Sequence, residues 1–268
     1  MKRMICILSL SALLLSVGIG SNQAFAQVDV DQYYNQKAER LERRILIDGI
    51  TAEVLPRASF DFDIQTFTNG GAQAALNVGL LDRLTIGLSY GSGKLLSEGK
   101  PNWNPHMEFL IKYKLLSKSL TYPTLSLGYC SQGSGSWDKV NKRYAQKSKG
   151  FFIVATKSYL VYRNVVSFTA GVNLSKEGWD KDKDPTPYMG IVTQVNSNVY
   201  FIGEYDFALN DNKRYAQYGE GRGFLNIGLE WVISDAVSIE FDLRDLLLNR
   251  TDAKYIDREV RLFYIENF

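Results

Sequence analysis

Twelve segments of this sequence alternate between apolar and polar residues, and this pattern constrains the fold more than any other feature. In residues 83–91, for example, Leu84, Ile86 and Leu88 alternate with polar or small residues. The twelve segments are residues 57–66, 73–80, 83–91, 106–115, 123–132, 151–160, 164–174, 187–195, 198–207, 223–232, 236–245 and 258–268. Successive side chains of a β-strand point to opposite faces, so each segment predicts a strand with one apolar face.

The connections between these segments alternate in length. Short links such as LLDRL and VNSNV lie between long polar stretches such as GSGSWDKVNKRYAQKSKG. Asn69-Gly70 favours a type I′ turn in one further tight hairpin. Most segments also have about the 9–11 residues of a tilted strand that crosses a bilayer. An even strand number, with short turns on one rim and long loops on the other, predicts an all-β, twelve-stranded antiparallel transmembrane barrel over residues 53–268.

The two faces of the predicted strands fit such a barrel. The apolar side would contact lipid, with Tyr and Trp near segment ends forming aromatic girdles. The predicted lumen-lining residues are Asp61, Asp63, Glu108, Lys112, Lys114, Lys157, Glu204, Asp206, Glu230, Glu240, Asp242, Arg244, Glu259 and Arg261. In a secreted β-sandwich the same polar side would face bulk water, so a soluble binding protein stays open as an alternative.

The first 26 residues have the layout of a secretory signal peptide. Basic residues precede an apolar stretch, and Ala24 and Ala26 predict cleavage after Ala26. The formal net charge of the chain is +2, and loss of Lys2 and Arg3 brings the mature chain to about zero, which argues against a nucleic-acid partner. Only Cys130 is left after cleavage, so no intrachain disulfide is expected. These features predict export to the bacterial outer membrane.

Residues 27–52, which precede the first predicted strand, are the segment with the strongest helical pattern. Residues 36–46 are rich in helix formers and contain no Gly or Pro, which predicts a short helix. Two interpretations stay open for this segment. It is either a periplasmic tail or a plug whose Arg40, Arg43 and Arg44 lie against acidic residues of the lumen.

The long polar stretch at residues 133–150 carries many basic residues. They outnumber its single acidic residue, Asp138, so we expect a surface loop that binds phosphate groups of lipopolysaccharide or an acidic polysaccharide. The basic residues of this predicted polyanion-binding loop are Lys139, Lys142, Arg143, Lys147 and Lys149.

The last predicted strand ends in an aromatic residue. Val260, Leu262 and Tyr264 alternate before the terminal Phe268. This arrangement resembles the C-terminal signal of bacterial outer-membrane proteins, which the barrel-assembly machinery reads, although Glu266 stands where an apolar residue is usual. The resemblance implies that the assembly machinery and outer-membrane lipid are partners.

Several short stretches within residues 57–268 resemble one known family. They are Asn69-Gly70-Gly71, VGLLDRLTIGLSYG, KSKGFF, GEYD, LNIGLEW and RDLLLN. They resemble the barrel module of the YjbH family, outer-membrane proteins associated with exopolysaccharide production, whose members are considerably longer than this chain. The resemblance implies a role in polysaccharide export or envelope assembly and brings no catalytic residues with it.

Catalytic chemistry has few candidate residues in this sequence. His106 is the only histidine, so Ser89 or Ser131 would have to reach it to make a nucleophile–base pair. One histidine and one cysteine do not make a structural zinc site, and we predict no metal or cofactor. We therefore expect a non-catalytic transport or envelope-assembly component, with an outer-membrane lipid hydrolase or acyltransferase as the alternative.

Overall fold

A computed structural model of the chain describes residues 43–119, 121–162, 164–177, 181–212 and 218–268. Within these ranges, the only helical element is a 3-10 turn at Thr68–Gly70, and no helix is long and apolar enough to cross a membrane. The strands are β1 (Ser59–Phe67), β2 (Gly71–Leu81), β3 (Leu84–Gly93), β4 (Asn102–Trp103), β5 (Glu108–Leu116), β6 (Thr124–Cys130), β7 (Ser134–Asp138), β8 (Arg143–Gln146), β9 (Gly150–Val161), β10 (Asn164–Leu174), β11 (Thr186–Asn196), β12 (Val199–Asp206), β13 (Phe224–Val232), β14 (Val237–Arg244) and β15 (Asp257–Asn267).

Twelve of these strands form one closed antiparallel ring. Each pairs with its neighbours along the chain, and the ring closes where β1 pairs with β15, with Phe62 opposite Tyr264. The other three strands are short: β4 pairs with the end of β3, and β7 pairs with β8 in a separate hairpin. All twelve predicted strands are confirmed, with boundaries within two residues of those predicted.

Short turns lie on one rim of the barrel and long loops on the other. The short connections are residues 82–83, 117–123, 162–163, 197–198 and 233–236, and the long ones are residues 94–107, 131–149, 175–185, 207–223 and 245–256. The predicted hairpin between β1 and β2 is the exception on the long-loop rim. Its central residues Asn69 and Gly70 have φ angles of 64° and 70°, and a type I′ turn requires both to be positive.

The barrel has its polar side chains inside and its large apolar side chains outside. In β3, Thr85 and Ser89 are buried while Ile86 and Leu88 are exposed. Other large apolar residues exposed on the outer face are Phe62, Ile64, Leu76, Phe109, Ile111, Tyr113, Phe168, Val172, Leu229, Trp231, Phe241 and Leu243. A soluble β-sandwich buries its apolar faces between two sheets. The sandwich alternative is therefore wrong, since the apolar face of this single ring points away from the protein.

Two parts of the chain occupy the interior of the ring. The first is residues 43–55, called here the inner segment, whose Leu46, Ile47 and Leu55 are fully buried. The second is the β7–β8 hairpin, which lies at the long-loop rim.

The predicted helix at residues 36–46 is not supported. Residues 36–42 lie outside the described residues, and residues 43–46 are not helical. Leu46 donates its N–H to the carbonyl of Gly49, and Ile45 bridges to Ile50. The helical pattern fails here because the backbone of residues 44–46 pairs with residues 49–51 across a tight turn instead of bonding along a helix.

Candidate functional site

The turn of the inner segment is held by one carboxylate of the barrel wall. Oε2 of Glu204, on β12, accepts the N–H groups of Ile47, Asp48 and Gly49 at 2.9, 2.9 and 2.8 Å. Consecutive N–H groups that converge in this way form an anion-binding concavity. The inner segment thus contributes a backbone anion site, and the wall contributes the anion.

The two arginines of the inner segment pair with acids on three strands. Arg43 bonds to Glu230 at 2.8 Å and to the fully buried Glu240, while Arg44 bonds to Asp61 at 2.7 Å. Two of these wall acids are almost completely withdrawn from water, where an unpaired carboxylate is costly. The arginines therefore compensate carboxylate charges that are buried inside the closed barrel.

The two acids of the inner segment pair with cations in the same way. Asp48 bonds to Arg244, and Ser134 donates to it at 2.7 Å. Glu53 accepts Lys114 at 3.2 Å and the hydroxyl of Thr124 at 2.8 Å.

Wall cations also bond to the backbone of the inner segment. Lys112 donates to the carbonyls of Arg44 and Thr51 at 3.2 and 3.3 Å, and Arg261 donates to that of Ile47 at 3.1 Å. The inner segment is thus bonded to the wall through main chain as well as side chains.

Apolar contacts, which the sequence analysis missed, complete this docking. Ile50 and Ala52 pack on inward-facing Phe152, Val154 and Tyr188. A second cluster joins Leu46 and Ile47 to Ile202. The sequence of β9 could have revealed these contacts, because Phe151–Ala155 is apolar on both faces of the strand. An apolar face on the lumen side needs an apolar partner inside the barrel.

A glycine on the lumen side leaves room for the inner segment. A Cβ added at Gly190 would lie 2.4 Å from Cδ1 of Leu46, well inside van der Waals contact. The missing side chain therefore lets Leu46 lie directly against the wall.

The β7–β8 hairpin folds toward the barrel interior at the long-loop rim. Tyr144, fully buried, donates its hydroxyl to Glu108 at 2.8 Å, and the side-chain amide of Asn102 donates to the carbonyl of Trp137 at 2.7 Å. Beside these residues, burial opposes ionisation of Asp138, but hydrogen bonds from Tyr218 and Asn141 outweigh it and bring the pKa of Asp138 to about 2. The hairpin is therefore bonded to the wall and to the long loops.

The predicted polyanion-binding loop requires a correction. Arg143 is buried against Asp211 at 2.7 Å, Lys147 donates to the carbonyls of Asp182 and Asn210, and Lys149 pairs with Asp206. Only Lys139 and Lys142 are exposed. The charged residues of this stretch predict a surface loop because charges are stable in water. Buried charges are also stable where the lumen supplies partners of opposite charge.

The structure places all but one of the predicted lumen residues inside the ring. Asp63 and Arg261 lie 3.6 Å apart, and Arg244 bonds Glu259 at 2.7 Å. The exception is Lys157, which lies on the outer face opposite Phe168, with its ammonium group donating to the carbonyls of Ser119 and Tyr122. The even-numbered residues of β9 face inward, so the assignment of Lys157 to the lumen is wrong.

The candidate nucleophiles are not bonded to His106 within the described residues. His106, largely exposed, lies 3.0 Å from Glu108. Ser89 donates to Gln132, and Ser131 is bonded to the backbone of Phe109. These contacts do not make a nucleophile–base pair.

The residues of the predicted assembly signal lie on the outer face and at the short-turn rim. Val260, Leu262 and Phe268 are exposed, and Tyr264 packs against Phe60. Their recognition by the assembly machinery stays a prediction.

Two cavities lie at opposite rims of the barrel. One of about 420 Å³ lies at the short-turn rim and reaches inward to Arg43 and Arg44. The other, of about 200 Å³, lies at the long-loop rim beside the β7–β8 hairpin. The inner segment contributes to the first and the hairpin to the second.

The closed ring, the apolar outer face and the charged interior define a transmembrane β-barrel of the outer-membrane type. Closure leaves the ring with no open sheet edge in hydrocarbon, and the apolar exterior replaces the solvated face of a soluble protein.

Several solved outer-membrane barrels are similar in structure to this chain. No protein-family model and no curated protein matches the sequence. Among solved structures, the KdgM porin is similar with a TM-score of 0.45 and 9% identity, over 78% of this chain and 99% of that one. Omp33 of Acinetobacter baumannii gives 0.45 and 10% over 79% and 98%, and the NanC porin gives 0.42 and 10% over 78% and 99%. At this level of similarity these structures carry no argument about the function of this chain.

Proposed function

We propose that this chain is a non-catalytic outer-membrane transport barrel whose resting state is closed by the inner segment and the β7–β8 hairpin. One observation carries the proposal: all four charged side chains of the inner segment, Arg43, Arg44, Asp48 and Glu53, pair with charged residues of the barrel wall. Such complementarity fits a segment that docks inside the barrel rather than a tail beneath it.

The chemistry of this docking suits a closure that can be released. Most contacts are hydrogen bonds and ion pairs, which water can replace at a small net cost for each bond. A barrel of twelve strands is intermediate between filled eight-stranded barrels and porins with 16–18 strands. The segments inside the barrel therefore determine whether ions pass through it. Release of the inner segment would widen the lumen.

Deletion of residues 27–50 from the mature chain tests this function. We expect the intact mature chain to conduct ions poorly in planar bilayers and the deletion to raise conductance. The new conductance should prefer cations, because Glu204, Glu230, Glu240 and Asp61 lose the bonds that the inner segment supplies. A matched deletion of residues 27–42 keeps the inner segment and should stay closed.

Three results of this experiment contradict the proposal. A large, steady pore in the intact chain would mean that the inner segment does not close it. An equal rise in conductance in the two deletions would locate closure outside the inner segment. If all forms stay closed, the barrel serves as an anchor or an assembly component rather than a channel.

The finer assignments are part of the same proposal. We propose that the signal peptide is removed after Ala26, that the assembly machinery recognises the terminal strand with Phe268, and that lipopolysaccharide contacts the exposed Lys139 and Lys142. Following the resemblance to the YjbH family, we propose polysaccharide export as the process served. A gene-deletion strain complemented with the intact chain or with the 27–50 deletion should differ in extracellular polysaccharide, and identical amounts in all strains would contradict this role.

A further inference from the structure

The cavity at the long-loop rim lies between the β7–β8 hairpin and the barrel wall. Its volume is about 200 Å³, and its lining includes Trp137 and Gln146 of the hairpin and Arg244 of the wall. Asn69 and Asp252, which also line it, are exposed. The cavity is therefore accessible from the rim that carries the long loops.

Two residues that line this cavity each have a buried donor atom with no hydrogen-bond partner among the described residues. These atoms are Nε2 of Gln146 and Nε of Arg244, in residues that are only 8% and 6% exposed. The other polar atoms of both side chains are satisfied, because Arg244 donates to Oε1 of Gln146 at 2.8 Å and to Glu259 at 2.7 Å. Buried donors without partners are rare and cost roughly 1–3 kcal/mol each. Both residues therefore have, beside the cavity, an N–H group that no other described residue satisfies.

The charges of the cavity restrict what that acceptor is. Anions are disfavoured because carboxylates outnumber arginines in the lining. Free cations are disfavoured because the two unpartnered atoms are N–H donors. The carboxylates are Asp138, Asp245, Asp252, Asp257 and Glu259, and the arginines are Arg244 and Arg250. A neutral ligand whose hydroxyl groups accept from the two donors and also donate to carboxylates satisfies both conditions.

Aromatic rings supply the remaining chemistry of the cavity. Phe67, Trp137, Tyr218 and Phe224 all contribute to its lining. A ligand pocket commonly combines apolar and aromatic walls with a few placed polar groups. A sugar ring has C–H groups on its faces, which can pack on the aromatic rings. It has hydroxyl groups at its edge, which can accept hydrogen bonds from the two N–H donors.

We propose that this cavity is a binding site for a neutral sugar residue, held by Gln146, Arg244 and the surrounding aromatic rings. The proposal does not depend on conduction through the barrel. A sugar that binds here touches the hairpin and the wall at once and occupies the long-loop rim.

Saturation-transfer NMR on the mature chain in detergent micelles tests the site with glucose, galactose and N-acetylglucosamine. Glucuronate and glucosamine serve as acidic and cationic probes of the same ring size. We expect saturable binding of at least one neutral sugar and about tenfold weaker binding of both charged probes, equivalent to about 1.4 kcal/mol.

Two variants of Gln146 remove the unpartnered donor. Gln146→Glu keeps an acceptor for Arg244, and Gln146→Met is neutral and of similar size. Both should weaken binding about tenfold, whereas Gln194→Glu, in the cavity at the other rim, should leave it unchanged. Circular dichroism and the melting temperature check that each variant is folded.

Several outcomes would overturn the proposal. Absence of saturable binding for all three neutral sugars would do so, as would equal or tighter binding of a charged probe. Equal weakening by Gln194→Glu and by the Gln146 variants would show that the effect is not local to this cavity.

Discussion

The inner segment and the β7–β8 hairpin both fill the barrel, but they are held in different ways. The hairpin is tethered at both ends, to β6 and β9, and its own strands pair with each other. The inner segment leads into one wall strand, β1, at its C-terminal end, and all four of its charged side chains pair with the wall. The hairpin is thus held by chain connectivity at both ends in addition to its ion pair and hydrogen bonds, whereas the inner segment depends on its ion pairs, hydrogen bonds and apolar contacts with the wall.

This difference in attachment indicates that the inner segment, rather than the hairpin, is the part that can leave the barrel. Removing one partner of a buried ion pair leaves an uncompensated charge, which costs more than the pair itself contributes. Neutralising the inner segment should therefore favour its release into water. The same change in the hairpin leaves a chain that is still tethered at both ends.

The largest effect is expected from the double variant Arg43→Gln, Arg44→Gln. Loss of both cations removes the arginine partners of Glu230, Glu240 and Asp61. We expect a loss of docking free energy of about 3 kcal/mol, equivalent to roughly a hundredfold in the ratio of closed to open states. Single-channel recordings should show more frequent, cation-preferring openings.

Arg143→Gln is the matched change in the hairpin. It removes the buried pair with Asp211 and should lower the melting temperature without a comparable rise in conductance. If it opens the channel as often as the double variant does, charge is not what distinguishes the two segments, and the comparison fails.

The barrel wall was predictable from the sequence because its signal is local. Alternation along each strand and the length of each connection need no knowledge of distant residues, so β3 and β14 were placed within two residues of their boundaries. The polarity of both faces followed from the same alternation. Lys157 was misassigned because β9 is apolar on both faces, which obscures the face to which each residue belongs.

The contents of the barrel were less predictable because polar residues suit both water and a charged lumen. The sequence therefore predicts a surface loop at residues 133–150, although Arg143 and Tyr144 are buried. Helix propensity predicted a helix through Arg43–Leu46, but it is worth less than about 1 kcal/mol per residue. The pairing of residues 44–46 with residues 49–51, across a turn that Glu204 holds by three N–H bonds, outweighs it. No pattern within residues 36–46 reveals an acceptor that is distant in sequence.

A smaller effect is expected from Gly190→Ala, which tests the docking of the inner segment by adding a methyl group to the wall rather than by removing a charge. The added Cβ would meet Leu46 at 2.4 Å, and such overpacking typically costs about 1–3 kcal/mol. We expect a modest rise in open probability. Gly203→Ala, whose Cβ would lie 3.2 Å from Ile191, is the control and should leave conductance unchanged; equal openings in both variants would contradict contact between Leu46 and the wall.

The smallest effect is expected from Tyr144→Phe, which tests the hairpin through one hydrogen bond. Burial and the bond to Glu108 raise the pKa of Tyr144 well above its ordinary value, so the hydroxyl stays a donor across the physiological range. Loss of this hydrogen bond should lower the free energy of unfolding by about 0.5–1.5 kcal/mol, because Glu108 keeps its contact with His106.

The melting temperature of Tyr144→Phe should fall slightly while its conductance stays low. The control Tyr205→Phe removes an exposed hydrogen bond to Arg222 and should change neither quantity. Frequent openings in Tyr144→Phe alone would make the hairpin, rather than the inner segment, the element that closes the barrel.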